Sequence, residues 1–403
     1  MSRSTRARIA LVIVAAAACV FAATAAAHTD SAAAGSPIVI GWAHDSTGPM
    51  APFDGPALAA AQIRVKQINA KGGVNGHPLV IKTCDTQGDK PAVSKACADK
   101  LIGQGANVLF TTCDVDLAAP AVQEGINKGL LTIAPCIGTD QMGPKRFGAK
   151  GKLAFSFGNV AQDEGSAMAQ FAWSRGWKTA ALATDSVIVY FKNVIQAFKV
   201  RFTQLGGKIV DQETYQDPVF HGNNVQNAVT RINQHQADVV VTATAGAWNA
   251  LAPLINGLRT LGNDTPVLNS WAGDGTYWLP KSPKISNYFF VTYANAFGQD
   301  PSKAINTLAK QVKAGTGGFV AGPAAIDGVV TAIKRAHGSL NGATLAAVME
   351  KFHKVPTLSG NVSFSKKLHT VFGRQYRVVE INNNKPIAKG TITAKVVPNS
   401  PDS

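Results

Sequence analysis

The sequence predicts an α/β protein with two lobes, each built on a parallel sheet with helices on both faces. From Ile38 onward, short apolar segments typical of buried strands alternate with amphipathic segments typical of helices, and this alternation favours parallel sheets. About nine strands are more than one sheet comfortably holds. The chain has 403 residues, of which 46% are hydrophobic, so it can bury two separate cores.

The segment from Gly55 to Asp85 shows the pattern with the least interruption. Its first part carries apolar residues at helical spacing, namely Leu58, Ala61, Val65 and Ile68. Gly72-Gly73 follows, where a helix end requires positive φ. Asn75-Gly76 is a strong turn signal, and a strand starts at Leu79. The segment therefore predicts a helix, a tight turn and a strand that are joined by very short connections.

The other elements follow in order along the chain. The predicted strands are Ile38–Ala43, Leu79–Cys84, Asn107–Thr112, Leu131–Pro135, Thr179–Asp185, Lys208–Tyr215, Val239–Thr244, Pro266–Trp271 and Tyr288–Tyr293. The predicted helices include Lys90–Gly103, Glu164–Arg175, Phe191–Leu205, Val225–His235, Ala247–Leu261, Ala304–Lys313 and Ala324–His337. The first four strands build lobe one, and those from Thr179 to Trp271 build lobe two. Arg374–Ile387 is a hairpin, and residues 396–403 form a disordered tail.

Residues 1–27 are predicted to be a signal peptide. Its basic, apolar and small-residue regions are Arg3 with Arg6 and Arg8, Ile9 to Phe21, and Ala25 to Ala27. We therefore expect an exported protein in the periplasm or at the cell surface, with a retained membrane anchor as the alternative. A lipid anchor through Cys19 is disfavoured, because Ala16 stands where a lipoprotein signal carries a leucine-like residue.

The basic charge of the chain does not indicate a nucleic-acid partner. The formal net charge is +15, and removal of three arginines with the signal peptide lowers it to +12. Lysine and arginine are scattered along the sequence, with no basic run and no interleaved aromatic residues. Nucleic-acid binding usually requires such a cluster, so we expect a solvated basic surface instead.

Four cysteines remain when Cys19 leaves with the signal peptide, and an exported protein can oxidise them. Cys84 ends a strand, Cys97 lies on the next helix, and Cys113 and Cys136 both end strands. Of the three possible connectivities, the pairs Cys84–Cys97 and Cys113–Cys136 close the shortest loops. Each bridge would contribute about 2–4 kcal/mol. A zinc site is the alternative, but no CxxC or CxxH spacing supports it.

Several motifs along the chain resemble those of one known family. They are Ile40-Gly41, Thr47-Gly48-Pro49, Phe53 with Gly55, Ile68 to Gly76 (INAKGGVNG), Asp85 with Pro91-Ala92-Val93, Leu101-Ile102, Asp163, Gly206-Gly207, Asp327 and Leu358 to Phe364. In this order they are similar to type I periplasmic binding proteins of the leucine/isoleucine/valine-binding branch, the solute receptors of ABC importers. The resemblance spans almost all of the mature chain, and the INAKGGVNG segment is its most specific part.

The resemblance implies two Rossmann-like lobes joined by three crossovers, with a small solute bound between them. Lobe one would comprise residues 37–157 and 295–358, and lobe two residues 158–294 and 359–395. Hinge closure would capture the solute, and an ABC permease in the membrane would receive it. The receptor would act as a monomer without cofactor or metal. A ligand-sensing subunit of a membrane signalling system is the alternative with the same fold.

The resemblance places candidate ligand contacts after the strands of lobe one, since parallel sheets bind ligands beyond their carboxyl ends. Phe53 matches an aromatic side chain that lies over the ligand in relatives, or it packs under its loop. Asp116 stands where amino-acid-binding relatives carry a serine for the ligand carboxylate, or it caps the following helix. Cys136 and Gly138 replace the small residue and the threonine that hold the same carboxylate.

Three further candidates follow strands of lobe two. Tyr190 matches a tyrosine that closes on the ligand, and Ala245 replaces an aromatic residue of many relatives, which would enlarge the cleft. Asp274 aligns with an acid that receives the ligand ammonium group, although an acid between glycines is also a common turn residue.

Two further points concern the filling of the cleft and its charge. Trp248, Tyr277 and Trp278 could refill the space that Ala245 leaves, or they pack elsewhere. Because two acids, Asp116 and Asp274, would face the cleft, we hypothesise a ligand that carries hydrogen-bond donors or positive charge, such as an amide, amine or polyol, with amino acids as a further possibility.

An enzyme is the main alternative from another functional class. Asp114-Val115-Asp116 follows an apolar strand and resembles the motif of haloacid-dehalogenase-type phosphotransferases, in which Asp114 would attack and Asp116 would act as general acid. The sequence lacks a convincing further acidic pair, and the motif follows the third strand instead of the first. We therefore predict that the protein is not an enzyme.

Overall fold

The computed structural model describes residues 35–222 and 225–397. The predicted signal peptide and residues 398–403 of the predicted tail lie outside the described residues. Val396 lies inside the described residues, and its carbonyl accepts a hydrogen bond from the hydroxyl of Ser166. Residue 396, which we predicted to begin the disordered tail, is therefore hydrogen-bonded to the helix Ala161–Ser174.

The strands of the described chain form two large sheets and one short hairpin. They are β1 (Ile38–His44), β2 (Leu79–Asp85), β3 (Val108–Phe110), β4 (Leu131–Ala134), β5 (Ala154–Asn159), β6 (Thr179–Asp185), β7 (Lys208–Tyr215), β8 (Val239–Ala243), β9 (Val267–Asn269), β10 (Tyr288–Thr292), β11 (Val355–Thr357), β12 (Gly360–Val362), β13 (Thr370–Val371), β14 (Tyr376–Asn382) and β15 (Lys385–Ile392).

Helices cover the faces of both sheets. They are α1 (Ala51–Asn69), α2 (Pro91–Gly103), α3 (Val115–Asn127), α4 (Pro144–Phe147), α5 (Ala161–Ser174), α6 (Val189–Gln204), α7 (Val225–Ile232), α8 (Leu251–Thr260), α9 (Lys303–Val312), α10 (Ala321–Arg335) and α11 (Gly342–Met349). In the described residues no single helix is long and apolar enough to cross a membrane. One bent pair, Lys303–Val312 with Gly317–Arg335, has the length and composition to do so.

The two sheets define the two lobes and confirm the predicted fold class. The first sheet has the order β13-β5-β4-β3-β1-β2, and all of its neighbouring strands are parallel. The second has the order β15-β14-β10-β9-β8-β6-β7, in which only the C-terminal hairpin β14–β15 is antiparallel to its neighbours in the described sheet. The chain crosses between lobes after β5, after β10 and after β13.

The predicted lobe boundaries and the sheet membership differ near residue 359. We expected residues 359–395 in lobe two, but β13 lies at the edge of the first sheet beside β5. The hydroxyl of Thr370 donates to the carbonyl of Thr139 at 2.7 Å, and the ring of His369 stacks on Phe155 at 4.0 Å between centroids. These contacts hold the segment on lobe one, so the third crossover follows β13.

Strand β5 was absent from the predicted strands. All of its residues are buried, so its sequence AFSFGN shows no alternation of polar and apolar residues, and it contains a glycine. Such a short, fully buried segment carries little periodic signal. The nine predicted strands otherwise correspond to β1–β4 and β6–β10.

Both predicted disulfides are present, Cys84–Cys97 and Cys113–Cys136. The first joins the end of β2 to α2. The second joins the residues that follow β3 and β4, and so fixes two neighbouring strand ends of lobe one.

One buried hydrogen-bond network connects the three crossovers, and we call it the hinge network. Asn159, at the end of β5, donates from its backbone N–H to the hydroxyl of Tyr293 at 3.1 Å. Its Nδ2 donates to Asp163 Oδ2 at 2.9 Å and to the hydroxyl of Tyr376 at 2.5 Å. The backbone N–H of Gly373 also donates to Asp163 Oδ2, at 3.0 Å. The network therefore joins a residue of each crossover.

A buried arginine completes this network. Arg374 donates from Nη2 to the carbonyl of Phe157 at 2.7 Å, and its guanidinium lies 4.9 Å from the centroid of the Tyr293 ring. Burial lowers the pKa of Arg374 and raises the pKa of Asp163 to about 7. Removal from water disfavours the charged forms of both Arg374 and Asp163. Their hydrogen bonds offset this cost only in part.

Helices α1 and α10 approach each other closely at a glycine. A Cβ at Gly322 would lie 2.0 Å from the carbonyl oxygen of Ala57. Because this oxygen belongs to the main chain, no side-chain rotation can relieve the overlap. We therefore expect Gly322→Ala to lower the free energy of unfolding by about 1–3 kcal/mol, the usual cost of overpacking.

Urea unfolding of Gly322→Ala tests this expectation, with Gly55→Ala as the matched control. Gly55 is exposed within α1, and a Cβ there would meet nothing within 4 Å. The control should be neutral or more stable by up to about 1 kcal/mol, because alanine favours a helix over glycine. Equal changes in the two variants would contradict the close approach.

The raised pKa of Asp163 predicts how stability depends on pH. The unfolded chain releases this proton near the ordinary value of 3.8, whereas the folded protein retains it until about 7. The folded state then binds more protons, so the free energy of unfolding falls as pH rises between these values. Asp163→Asn should show a shallower fall between pH 4 and pH 7 in urea unfolding, and an unchanged slope would argue against a protonated Asp163.

Candidate functional site

The strand ends of the two sheets face each other across a small interlobe cavity. Its volume is about 20 Å³, little more than the space of one water molecule, for which about 10–15 Å³ suffices. The wall residues are Met50, Phe53, Cys113, Asp114, Gly138, Ile188, Tyr190, Phe191, Ala245, Trp248, Trp271 and Ala272. Lobe one supplies those up to Gly138, and lobe two supplies the rest.

Four of the predicted ligand contacts lie in this wall: Phe53, Gly138, Tyr190 and Ala245. Gly138 is required by the close approach of the other lobe, since a Cβ there would lie 2.7 Å from Cε2 of Tyr190. Cys136 is buried behind the wall in its disulfide with Cys113, which is itself a wall residue.

Asp116 does not line the cavity and instead connects the lobes. One of its oxygens pairs with Arg146 Nη1 at 2.5 Å, and the other accepts the backbone N–H of Val189 at 2.8 Å. The helix cap is Asp114, whose Oδ1 accepts from the backbone N–H of Asp116 and of Leu117. Asp116, which we considered as a cap, therefore lies two residues beyond Asp114, which performs this role.

Asp274 is fully buried away from the cavity wall. Its Oδ2 accepts the hydroxyl of Thr292 and the backbone N–H of Gly317, both at 2.6 Å. Burial raises its pKa to about 7. These bonds join the turn after β9 to the strand β10 and to the chain that follows it, so the geometry gives Asp274 a structural role.

Aromatic side chains form most of the wall, and sequence reasoning missed several of them. The ring of Trp271 meets Phe53 edge-to-face at 5.3 Å and lies 6.2 Å from Tyr190. Phe191 and Trp248 meet at 5.5 Å. Trp248 fills the space beside Ala245, as considered above, whereas Trp278 packs on Tyr288. Trp271 lies two residues after the end of β9, a strand-end position that could have identified it.

Direct hydrogen bonds hold the two lobes together around this cavity. Trp248 Nε1, in lobe two, donates to the carbonyl of Pro49 at 3.0 Å. Asn193 Nδ2 donates to Thr139 Oγ1 at 3.3 Å. Together with the Asp116–Val189 contact, these bonds define a closed arrangement of the lobes.

A buried glutamate lies behind the aromatic wall. Glu164 Oε1 accepts the hydroxyl of Tyr190 at 2.9 Å and the backbone N–H of Trp271 at 2.7 Å. Desolvation raises its pKa to about 8, so the side chain is mainly protonated at neutral pH. One carboxyl group thus fixes two wall residues, one at the start of α6 and one in the turn after β9.

Neither a cluster of possible metal ligands nor a groove between helices is a better candidate than this site. Ligand atoms of Asp54, Cys113 and Cys136 lie within 4.8 Å of one another, but the disulfide leaves neither cysteine as a thiolate, the form that binds metal. A groove of about 760 Å³ lies between α1, α9 and α10. Its lining shares no residue with the interlobe wall, and two of its lining residues, Arg64 and Asp327, already pair with each other at 2.6 Å.

Comparisons with known proteins agree with this architecture. The family described as periplasmic binding protein matches residues 37–386. The Leu/Ile/Val-binding protein homolog 3 of Brucella melitensis biotype 1 is 25% identical over 343 residues, which cover 83% of this chain and 89% of that protein.

Two solved structures are similar to the fold. The branched-chain amino acid transporter substrate binding protein LivJ of Streptococcus pneumoniae, in complex with isoleucine, has a TM-score of 0.74 at 20% identity, covering 89% of this chain and 99% of LivJ. The solute binding protein of an ABC transporter from Rhodopseudomonas palustris BisB5, in complex with 3,4-dihydroxy benzoic acid, has a TM-score of 0.72 at 18% identity, covering 90% and 99%.

The family match spans most of the chain and agrees with the lobes, crossovers and interlobe cavity described above. The relatives are binding proteins, so the prediction that this protein is not an enzyme is confirmed. The chain belongs to the periplasmic binding protein family.

Proposed function

We propose that this protein is the receptor of an ABC importer that captures a small solute with an aromatic body between its lobes. The observation that carries the proposal is the interlobe wall, in which Phe53, Tyr190, Phe191, Trp248 and Trp271 converge. Aromatic rings prefer edge-to-face or offset neighbours, and a wall of this kind offers such surfaces to a flat ring on several sides.

Among the described residues the wall holds one acid, Asp114. It caps α3 through two backbone N–H groups, and burial raises its pKa to about 7, so it does not present a fully charged carboxylate to a cation.

The hypothesis of a ligand with donors or positive charge relied on Asp116 and Asp274 in the cleft, and neither lines the cavity. Asp116 is neutralised by Arg146, and Asp274 has its own partners in Thr292 and Gly317. The argument for an amine or polyol thereby loses its support.

The similar structures supply a precedent for both remaining solute classes. One carries isoleucine and the other 3,4-dihydroxy benzoic acid. The aromatic wall of this chain favours the second class. Asp116 and Gly138 stand at the serine and threonine positions whose hydroxyls the resemblance assigns to a ligand carboxylate. Their loss affects both classes alike, so the preference for the second class rests on the aromatic rings of the wall.

Opening and closing of the lobes is part of the proposed mechanism. A cavity of about 20 Å³ cannot hold an aromatic acid, so the lobes separate to admit the solute and close over it. Hydrogen bonds of the hinge network join residues of all three crossovers. A rotation of the lobes about this region would break the fewest of these bonds. An exported monomer would then deliver the solute to its membrane permease.

A panel of solutes tests the proposal by isothermal titration calorimetry on the purified mature protein. The panel comprises 3,4-dihydroxybenzoate, acetophenone, leucine, isoleucine and the diamine putrescine. We expect the aromatic compounds to bind at least about tenfold more tightly than the others, a difference of about 1.4 kcal/mol. Tighter binding of leucine or putrescine would refute an aromatic solute.

Replacement of Phe53 should weaken the binding of aromatic solutes. Phe53→Ala removes the ring that meets Trp271 edge-to-face, and we expect affinity for the best aromatic compound of the panel to fall about tenfold or more. Tyr277→Ala is the control, since Tyr277 is 42% exposed and lies outside the wall. Equal losses in both variants would place the solute elsewhere.

A further inference from the structure

The indole nitrogen of Trp271 is a buried hydrogen-bond donor without a partner. Trp271 lines the interlobe cavity and is only 4% exposed, yet its Nε1 has no hydrogen-bond partner among the described residues. Buried polar groups are nearly always satisfied, so an unpaired donor at a ligand cavity requires an explanation.

The other hydrogen-bonding side chains of the aromatic wall are already satisfied. The hydroxyl of Tyr190 donates to Glu164 at 2.9 Å, and Trp248 Nε1 donates to the carbonyl of Pro49 at 3.0 Å. Trp271 therefore differs from the other polar aromatic residues of this wall in the described structure, because its donor is free.

The packed edge of the Trp271 ring is the one that does not carry the donor. A Cβ at Gly318 would lie 3.1 Å from Cζ3 and 3.6 Å from Cε3 of Trp271. These atoms belong to the edge of the indole opposite Nε1. Gly318 is outside the cavity wall, so this edge of the indole packs on the protein beyond the wall, and Nε1 belongs to the other edge of the ring.

The ring is also held rigidly. Glu164 binds the backbone N–H of Trp271 at 2.7 Å, Phe53 packs on one side, and Tyr293 lies 5.0 Å away between centroids. A donor that is fixed in place before the solute arrives loses little conformational freedom on binding. Glu164 is thus a positioning residue for this donor.

We infer that Trp271 Nε1–H donates a hydrogen bond to an oxygen acceptor carried by the aromatic solute, so that the receptor selects oxygen-substituted rings. The inference rests on the proposed function, since it places the solute in the interlobe pocket. An acceptor-free ring would leave the donor unpaired in the closed state, and such a mismatch discriminates strongly between otherwise similar ligands.

A pair of probes with similar skeletons tests the assignment. Acetophenone carries a carbonyl oxygen that can only accept a hydrogen bond, and ethylbenzene is its acceptor-free counterpart. Calorimetry on the wild-type protein should show acetophenone binding about 10- to 100-fold more tightly. Trp271→Phe keeps an aromatic ring but removes the donor, so it should reduce this ratio to nearly one.

Trp248→Phe is the matched control. It also removes one indole N–H from the wall, but that group is already bonded to Pro49. The control should weaken both probes alike and so preserve the wild-type ratio. Loss of the ratio in this control and its retention in Trp271→Phe would overturn the assignment.

Nuclear magnetic resonance gives a readout on the wild-type protein, so it does not require any variant to fold. In the wild-type protein, the indole ¹H–¹⁵N resonance of Trp271 should move downfield with acetophenone and much less with ethylbenzene. If aromatic probes bind but neither the resonance nor the affinity ratio responds, only the role of Trp271 fails. If no aromatic probe binds the wild-type protein, the proposed solute class fails and this inference fails with it.

Discussion

The arrangement of the two lobes depends on the hinge network around Asn159. This one buried side chain bonds to Asp163 and to the hydroxyl of Tyr376, while its backbone N–H reaches the hydroxyl of Tyr293. Partners from every crossover meet there without access to water. Because an unmade buried hydrogen bond costs more than a formed one contributes, these contacts hold the three crossovers together.

The same helix connects this hinge with the candidate binding site. Asp163 and Glu164 are neighbours at the start of α5, and the first belongs to the hinge network whereas the second holds Tyr190 and Trp271. Burial raises the pKa of both acids, so two carboxyl groups can lie side by side in the interior without two negative charges. Hinge and aromatic wall are therefore positioned by a single turn of helix.

The candidate site shows where sequence reasoning succeeds and where it does not. Strand ends were the right places to look, and Phe53, Gly138, Tyr190 and Ala245 all lie in the wall. Sequence position alone could not determine which way an acid points. Asp116 pairs with Arg146, which lies thirty residues further along the chain. Trp271 had the correct position after β9, but an unpaired indole nitrogen is visible only when all neighbours are placed.

The sequence by itself determined the α/β class, nine of the strands, the C-terminal hairpin and both disulfide pairings. These features depend on local periodicity, on turn residues such as Asn75-Gly76, and on short loops between cysteines. Only the tertiary structure decided that Thr370–Val371 joins the first sheet, that Asp116 and Asp274 have protein partners, and that aromatic rings form the wall. Each of these depends on contacts between residues far apart in sequence. Such contacts leave no periodic signal in the sequence itself.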